Sequence, residues 1–330
     1  MKDLSFTPFQ GTICAPIFLE GIGAHSGQYA HLAIKPAALD TGIVFIRTDL
    51  SPKCSMIPAR RRYLSNTTLC TALANSDGTQ IQTVEHLLAA LSLYAIDNAI
   101  VEIDAGEVPM LDGSARPYVE ALQAVGRRSQ QALRRFLRVL RPIRVQQEGR
   151  TASLLPSSVG FSLDVCCDYS ARSIKRQQYS ATLTTENFIK EIAPARTFGF
   201  FDDIERLYAN GLAQGSSLEN AVVFSNGAPL NPEGLRFEDE VVRHKTLDVL
   251  GDLALLGYPL CAHFEGKNTG HALNARLTAA VLEHPDCWTI TETKPQKSLS
   301  LQRSASCSKK LTPAFPPFLG FPVPAYSSCK

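Results

Sequence analysis

The sequence predicts an α+β protein, because strand-like and helix-like segments alternate in both halves of the chain. Short runs rich in β-branched residues and bounded by turn residues indicate strands. Longer segments in which apolar residues recur at helical spacing indicate helices. Strands are predicted at residues 41–47, 98–103 and 161–166, and helices at residues 83–94, 116–125, 240–256 and 273–282. Two such sets predict two α+β layers that pack together.

The predicted helix at residues 83–94 shows the helical pattern most clearly. Val84, Leu87 and Leu88 fall on one face and form an apolar stripe, as expected for a helix that packs on a core. Thr83 comes just before the stripe, and threonine hydroxyls accept hydrogen bonds from the first backbone N–H groups of helices. Thr83 is therefore the predicted N-cap residue.

The length of 330 residues allows two domains of ordinary size. We place the boundary near residue 135, within the basic stretch at 127–138. This predicts an N-terminal α+β domain at 1–135 and a second α+β domain at 136–288. Residues 289–330 are rich in Pro, Ser and Lys, and we expect a disordered or loosely attached tail there. Aromatic residues in the tail leave a role at a partner or membrane surface open.

The composition excludes several classes of protein. A net charge of +2 argues against a nucleic-acid binder, which usually carries a strong basic excess. No apolar run reaches the roughly 18 residues that a membrane-spanning helix needs, and the first residues lack the apolar centre of a signal peptide. The nine cysteines are an odd number without a C-x-x-C pair, which indicates reduced thiols. We therefore expect a cytoplasmic protein.

One predicted helix carries a polar stripe. His244, Asp248 and Asp252 are spaced four residues apart, so they advance by about 40° around the helix at each step. A polar stripe on an otherwise apolar helix is costly unless it is paired, and a cation suits an imidazole and a carboxylate on adjacent turns. An ordinary His–Asp contact across one helical turn remains the alternative.

A second polar pair, Glu85 and His86, lies in the first half of the chain. By itself this pair is typical of a solvated helix face. It nevertheless complements the stripe, because His86 with His244 and Asp248 makes two imidazoles and one carboxylate. That set leaves one position open on a tetrahedral zinc ion, as in catalytic zinc sites. Glu85 would then be the base that takes a proton from water.

His271 and Thr197 are further candidate catalytic residues. His271 comes just before a predicted helix, and as a general acid it would have to be protonated. The helix N-terminus opposes that charge, whereas a carboxylate such as Asp252 favours it, and the outcome depends on distance. Thr197 could donate a hydrogen bond to a developing oxyanion. A helix-start residue for His271 and a simple turn for Thr197 remain the alternatives.

Together the motifs resemble those of one enzyme family. They occur at residues 21–27, 83–87, 111–115, 195–200, 235–240, 243–248, 251–253 and 270–274. In this order they resemble the bacterial UDP-3-O-acyl-N-acetylglucosamine deacetylases, the zinc amidases of lipid A biosynthesis. The resemblance covers roughly residues 5–285, and the combination is far more specific than any single motif.

The resemblance implies a two-domain β-α-α-β sandwich in which each domain packs two helices against a β-sheet. It implies that His86, His244 and Asp248 hold Zn²⁺ and that Glu85 is the general base. The implied reaction hydrolyses the N-acetyl group of the acylated UDP-sugar and gives acetate and a glucosamine amine.

The resemblance also assigns residues around the metal. His271 is implied as general acid or electrostatic stabiliser, with Asp252 as the residue that orients it. Thr197 is implied to polarise the acetamide carbonyl. Lys245 and Phe198 are implied to contact the nucleotide-sugar.

An insert at about residues 200–225 is implied to line a passage for the fatty acyl chain. The sequence departs from the family here, because Ser216 stands where a glycine is usual and serine disfavours positive φ. The exact shape of the passage is therefore open. The tail beyond about Trp288 has no counterpart in the family.

The resemblance implies a cytoplasmic enzyme that works near the inner membrane, and we expect a monomer. Two other classes remain open. The first is a zinc hydrolase for a different acylated amine, which an assay on a nucleotide-sugar without the 3-O-acyl group would distinguish. The second is a binding module without activity, although such a module has no need for a base beside the metal.

Overall fold

A computed structural model describes residues 3–4 and 7–292 of the chain. Its strands, in chain order, are β1 (Phe9–Ile13), β2 (Ile17–Ile22), β3 (Tyr29–Pro36), β4 (Ile43–Arg47), β5 (Met56–Pro58), β6 (Leu64–Asn66), β7 (Ala72–Ala74), β8 (Gln80–Ile81), β9 (Ala99–Ile103), β10 (Arg127–Leu133), β11 (Arg135–Val139), β12 (Ile143–Gln147), β13 (Arg150–Leu155), β14 (Phe161–Tyr169), β15 (Ile174–Thr182), β16 (Phe198–Phe200), β17 (Val222–Ser225), β18 (Ala228–Pro229), β19 (Leu260–Lys267) and β20 (Trp288–Glu292). The helices are α1 (Glu85–Leu93), α2 (Arg116–Val125), α3 (Thr185–Asn187), α4 (Ile204–Ala209), α5 (Glu240–Ala254) and α6 (His271–Glu283).

The first large sheet has five strands in the order β2-β3-β9-β4-β5. Its pairs are antiparallel except β4 with β9, which is parallel. In β3 the buried residues alternate with exposed ones, as expected for a sheet with one face on the core. Helix α2 packs against β2 and against α1. This sheet and its two helices are built from residues 17–125.

The second large sheet has seven strands and is built around β19. The path β12-β13-β19-β11-β20 is extended by β14, which pairs with β19 and with β15. Helix α5 packs on β14 and β15, and helix α6 packs on β12 and β13. The two large sheets therefore enclose two pairs of helices, which confirms the predicted α+β fold.

Three smaller sheets complete the described part of the chain. They consist of β1 with β10, of β6, β7 and β8, and of β16, β17 and β18. The β6-β7-β8 sheet ends immediately before α1, so it places its residues beside the start of that helix. Helix α4 comes between β16 and β17 in the chain, within the region predicted as the insert.

Helices α1 and α5 cross at very close range. A Cβ atom added to Gly251 of α5 would lie only 2.1 Å from the carbonyl oxygen of Glu85 in α1. Small residues at a crossing allow two helix backbones to approach, and here glycine is needed for that reason. The contact brings the start of α1, with Glu85 and His86, onto the polar stripe of α5.

The predicted helices agree with the observed ones to within a few residues, but the predicted N-cap is wrong. Thr83 has a φ of 58°, and its hydroxyl donates to Oε1 of Glu107 at 2.8 Å instead of accepting from the helix. Val84 occupies the N-cap position without a side-chain cap. The N-terminus of α1 is buried, so long-range contacts replace local capping there.

The predicted boundary between the second domain and the tail falls inside a strand. Residues Trp288–Glu292 form β20 and pair antiparallel with β11, so the first residues assigned to the tail belong to the sheet. The remainder of the predicted tail, residues 293–330, lies outside the described residues. The division of residues 1–288 into two domains near residue 135 stays a prediction.

The described residues bear on membrane-spanning helices and on the state of the cysteines. Within residues 3–4 and 7–292, no helix combines the length and the apolarity that crossing a bilayer requires. The cysteines in this part of the chain are free thiols, at positions 14, 54, 70, 166, 167, 261 and 287.

Candidate metal centre

The two imidazoles predicted to converge lie side by side between α1 and α5. The ring centroids of His86 and His244 are 5.0 Å apart, and the rings are nearly perpendicular. Oδ1 of Asp248 lies 3.3 Å from Nε2 of His244 and 3.7 Å from Nε2 of His86. One ligating atom from each residue lies within 4.8 Å of the other two, and all three side chains are buried. These distances suit a single ion held between the two helices.

The hydrogen bonding of His244 defines which nitrogen faces the cluster. Its Nδ1 lies 3.1 Å from the carbonyl oxygen of Ala195, which can only accept, so Nδ1–H is the donor. Burial lowers the pKa of His244 to about 3, although the nearby Asp248 carboxylate opposes the shift. The ring is therefore neutral, and its Nε2 lone pair points toward Asp248.

Asp248 has two oxygens with different surroundings. Oδ2 accepts a hydrogen bond from Nζ of Lys245 at 2.7 Å. Oδ1 is buried, and no group among the described residues donates to it. Burial alone would raise the pKa of Asp248, but the positive charges of Lys245 and His271 outweigh it and hold the pKa well below its usual range.

This donor set fits a metal ion. An anionic oxygen without a hydrogen-bond donor is costly in a buried site, and here it faces the imidazoles of His86 and His244. A divalent cation would satisfy the oxygen and the nitrogen lone pairs at once. Imidazole with carboxylate suits zinc and several other first-row metals. The alternative of an ordinary His–Asp hydrogen bond does not explain why Oδ1 of Asp248 lacks a donor.

Glu85 begins α1 and is buried beside the metal cluster. Its Oε2 accepts the backbone N–H of Thr71 at 3.1 Å, and its Oε1 lies 3.7 Å from Nε2 of His271. Burial raises the pKa of Glu85, against the opposing positive charge of His271. The alternative of a solvated helix face for Glu85 and His86 is wrong, because α1 is enclosed between α2 and α5.

His271 is the first residue of α6, and its ring lies among three carboxylates. Nδ1 donates to Oδ2 of Asp252 at 3.0 Å, while Nε2 faces Glu85 and Asp248. Burial alone would lower the pKa of His271, but the carboxylates of Asp252, Asp248 and Glu85 outweigh it and raise the pKa to about 9. The carboxylates therefore prevail over the unfavourable helix terminus, and His271 is protonated at neutral pH.

Two residues of the site were missed by sequence reasoning. Thr71 donates its hydroxyl to Oδ1 of Asp252 at 2.5 Å, and Asn274 donates its amide to Oδ2 at 2.8 Å. Asn274 could have been found, since it lies one helical turn after His271 on the same face. Thr71 left no local signal, because it reaches Asp252 across 181 positions of the chain.

The segment around Thr197 lies beside the candidate ligand His244. The ring of Phe198 is 6.2 Å from that of His244, and the carbonyl of Ala195 accepts from it. The backbone N–H of Thr197 donates to the carbonyl oxygen of Gly113 at 2.8 Å. The residues that flank Thr197 thus contact His244, while the role of the Thr197 hydroxyl stays a prediction.

A buried ion pair holds this segment against α5. Nε of Arg196 lies 2.9 Å from Oε1 of Glu240, the first residue of the helix that carries His244 and Asp248. The same carboxylate oxygen accepts the backbone N–H of Arg196 at 2.9 Å, and Oε2 accepts the backbone N–H of Arg236 at 2.7 Å. Both oxygens of Glu240 thus have donors.

Ser216 does not need the positive φ that would favour glycine at this position. Among the non-glycine residues with positive φ in the described part of the chain, Ser216 does not occur. Its hydroxyl donates to the carbonyl oxygen of Ala24 at 3.2 Å. The neighbour Gly215 has the stricter requirement, because a Cβ there would lie 2.3 Å from the backbone oxygen of Gly23. Serine is therefore accommodated at position 216 without backbone strain.

Comparison with known proteins agrees with the geometry. A model of the UDP-3-O-acyl N-acetylglycosamine deacetylase family matches residues 10–283. The UDP-3-O-acyl-N-acetylglucosamine deacetylase of Shewanella piezotolerans is 47% identical over 284 residues, which are 86% of this chain and 92% of that protein. The proteins of the same name from Shewanella oneidensis (45% over 284 residues, 86% and 92%) and Shewanella violacea (46% over 291 residues, 88% and 94%) are similarly close. The chain belongs to the UDP-3-O-acyl N-acetylglycosamine deacetylase family.

Proposed function

We propose that this protein hydrolyses the N-acetyl group of UDP-3-O-acyl-N-acetylglucosamine, releasing acetate and leaving a free amine on the acylated UDP-sugar. The names of its relatives support the substrate. One observation carries the hydrolytic chemistry: the unpartnered oxygen of Asp248 faces two imidazoles, with the buried carboxylate of Glu85 beside them. A binding module has no use for such a base next to a metal site.

His86, His244 and Asp248 would hold a zinc ion between α1 and α5. When bound, the ion supplies Lewis-acid chemistry, which makes water acidic enough to lose a proton near neutral pH and polarises a carbonyl group. The Nδ1–H bond from His244 to Ala195 keeps its other nitrogen free for the ion. The ammonium group of Lys245 holds the second oxygen of Asp248, so Oδ1 is the oxygen available to the ion.

Glu85 would accept the proton of the attacking water. Its burial raises its pKa, which makes the carboxylate a stronger base than an exposed glutamate. The backbone N–H of Thr71 binds Oε2, so Oε1 is free to face the reacting groups. The raised pKa and the single free oxygen both suit a general base.

His271 would carry the proton that the departing amine needs. Its Nδ1 is bound to Asp252, so the proton available for transfer is the one on Nε2, which faces Glu85 at 3.7 Å. The pKa of about 9 keeps this proton in place at neutral pH. The same charge would stabilise a developing oxyanion, and both roles follow from one protonation state.

Thr197, Phe198 and Lys245 would contact the substrate. The Thr197 hydroxyl would donate to the acetamide oxygen, and the Phe198 ring would form part of the wall beside His244. Lys245 is already bound to Asp248, but an ammonium group carries further N–H donors for a polar group of the nucleotide-sugar.

The region predicted as the acyl insert exposes apolar side chains. Phe201, Tyr208 and Leu218 are each 40% or more exposed, and they lie before, within and after α4, respectively. The backbone N–H of Gly215 donates to the carbonyl of Ala24 at 3.1 Å, which fixes this loop to the first half of the chain. A fatty acyl chain is the part of the substrate that such a surface would bind.

We further propose that the enzyme acts as a monomer in the cytoplasm near the inner membrane, because its product leads to a lipid. The division into domains at 1–135 and 136–288 belongs to the same proposal. The two large sheets support it, since one is built from residues 17–103 and the other from residues 135–292.

The test joins metal analysis to an assay for acetate release. We expect stoichiometric zinc in the purified protein and hydrolysis of the acylated nucleotide-sugar, with little activity on the same sugar without the 3-O-acyl group. His86→Ala and His244→Ala should lose both the metal and activity. His31→Ala is the matched control, because His31 is an exposed histidine that contacts Glu20 and Asp104. Full metal content in both ligand variants, or equal rates on both sugars, would overturn the proposal.

A further inference from the structure

Thr71 is a buried residue at the meeting point of the predicted acid and the predicted base. It lies immediately before β7, outside both helices that carry the metal cluster. Its backbone N–H donates to Oε2 of Glu85 at 3.1 Å, and its hydroxyl lies 2.5 Å from Oδ1 of Asp252 and 3.2 Å from Nδ1 of His271. Its backbone and its side chain therefore contact different members of the site.

The directions of these hydrogen bonds follow from the number of available protons. The carboxylate of Asp252 can only accept, so the single hydroxyl proton of Thr71 goes to Oδ1. Nδ1–H of His271 donates to Oδ2 of Asp252 and can be shared with the Thr71 oxygen. The three side chains form a closed set that fixes the plane of the imidazole.

We propose that Thr71 is a positioning residue: its hydroxyl orients His271 through Asp252, while its backbone N–H orients Glu85. This inference rests on the proposed function for the roles of His271 and Glu85. It does not make Thr71 a catalytic residue, because both contacts run through other side chains. One residue thereby sets the relative placement of two groups that come from α1 and α6.

Removal of the hydroxyl separates the two contacts. Thr71→Val keeps the shape of the side chain and the backbone N–H to Glu85, but it leaves Oδ1 of Asp252 buried without this donor. The ring of His271 then loses one side of its support. Thr71→Ser restores the hydroxyl without the methyl group, so it distinguishes the hydrogen bond from packing.

The experiment compares kcat and KM for acetate release in the wild type, Thr71→Val and Thr71→Ser. We expect Thr71→Val to lower kcat by about 10- to 100-fold, the usual effect of losing an orienting partner, with KM and zinc content unchanged. Thr71→Ser should recover most of kcat. Thr278→Val is the matched control, since Thr278 is a buried threonine on α6 whose hydroxyl donates to the carbonyl of Ala275.

A double-mutant cycle tests whether Thr71 acts through His271. In a His271→Gln background, Thr71→Val should cost little further activity, because the ring that it orients is absent. An unchanged kcat in Thr71→Val, or an equal loss in both backgrounds, would overturn the inference. If Thr71→Val does not fold by circular dichroism, Thr71→Ala, which also lacks the hydroxyl, takes its place.

A spectroscopic measurement does not depend on turnover. In the metal-free protein, the Nδ1 proton of His271 should give a downfield resonance in the wild type and Thr71→Ser, and this signal should shift or broaden in Thr71→Val. An unchanged resonance in Thr71→Val would contradict the proposed orientation. If the wild type released no acetate, the proposed function would fail, but this resonance would still decide whether Thr71 orients His271.

Discussion

Asp248 and Asp252 lie one turn apart on the same helix, and both are buried, yet their surroundings differ. Asp248 has one oxygen bound to Lys245 and one without a donor. Asp252 has donors on both oxygens, from Thr71, His271 and Asn274. The two residues are thus alike in type and in burial. They differ in the number of hydrogen bonds that their oxygens accept, and this difference distinguishes the candidate metal ligand from the orienting residue.

The difference also explains the electrostatics of the site. The oxygen of Asp248 that lacks a donor faces the Nε2 atoms of His244 and His86. A cation bound between these three atoms would satisfy all of them. Asp252 instead faces the protonated ring of His271, and its negative charge is balanced there. Two carboxylates on one helix can therefore serve a metal and a proton donor without competing.

The largest expected effect separates these two aspartates. Asp248→Asn should reduce zinc to background and abolish activity, because the ligand charge is lost. Asp252→Asn should keep zinc and lower kcat by about 10- to 100-fold, as expected for an orienting partner. Metal analysis by mass spectrometry and the acetate assay measure both. Equal zinc content in the two variants would remove the distinction between the carboxylates.

A third carboxylate, Glu85, should behave differently from both. Glu85→Ala should retain zinc and lower kcat by about 10²–10⁴-fold, because it removes the proposed general base but no ligand. The measurements are zinc content and kcat in the same preparation. Wild-type activity in this variant would exclude Glu85 from the mechanism, and loss of zinc would make it part of the metal site.

Glu240 is a buried carboxylate of a further kind, because both of its oxygens accept hydrogen bonds from arginine residues. Glu240→Gln should lower the free energy of unfolding by about 3 kcal/mol, because it removes the buried partner of the Arg196 charge and leaves only the exposed Glu233. Zinc bound per folded molecule should not change. Glu233→Gln is the matched control, since Glu233 contacts the same Arg196 but is half exposed, so its loss should cost under about 1 kcal/mol. Urea denaturation followed by circular dichroism gives both values.

A further expected effect concerns the pH dependence of stability. His271 has a pKa of about 9 in the folded protein against an ordinary value of 6.5 for histidine, so its protonation stabilises the fold fully below pH 6.5 and this contribution is lost as pH rises through 9. In metal-free protein, the stability advantage of the wild type over His271→Gln should therefore shrink between these pH values, by on the order of 3 kcal/mol. Urea denaturation at several pH values measures it.

The background of Asp252→Asn provides the control for this pH effect. Asp252 is the carboxylate that most strongly raises the pKa of His271. In that background the shrinkage with pH should be smaller. The same slope with and without Asp252 would show that another group titrates.

Much of the fold and the cluster of three candidate ligands could be predicted from the sequence, because their signals are local. The spacing of His244 and Asp248 on one helix and the Glu85–His86 pair are visible without coordinates. Helix bounds were close for the same reason, since apolar periodicity acts over neighbouring turns. The family resemblance then linked the two motifs.

The contacts of Thr71 and the strand β20 could not be predicted in this way. Thr71 meets Asp252 only after the β6-β7-β8 sheet, α1 and α5 have packed together. Trp288–Glu292 becomes a strand because β11 offers it a partner from more than 140 positions earlier in the chain. The hydroxyl of Thr83 likewise turned to a distant carboxylate and not to its own helix. Each error concerns a bond that tertiary packing creates.

The crossing at Gly251 has a consequence for how the protein tolerates change. Alanine favours helix over glycine by about 1 kcal/mol, yet at this position its methyl group would lie 2.1 Å from the Glu85 backbone. The substitution that local preference recommends would act as a wedge and push His86 away from His244. The distance between the imidazole nitrogens of His86 and His244 thus depends on the absence of a methyl group at position 251. Stiffening α5 with alanine at this position would therefore lower activity.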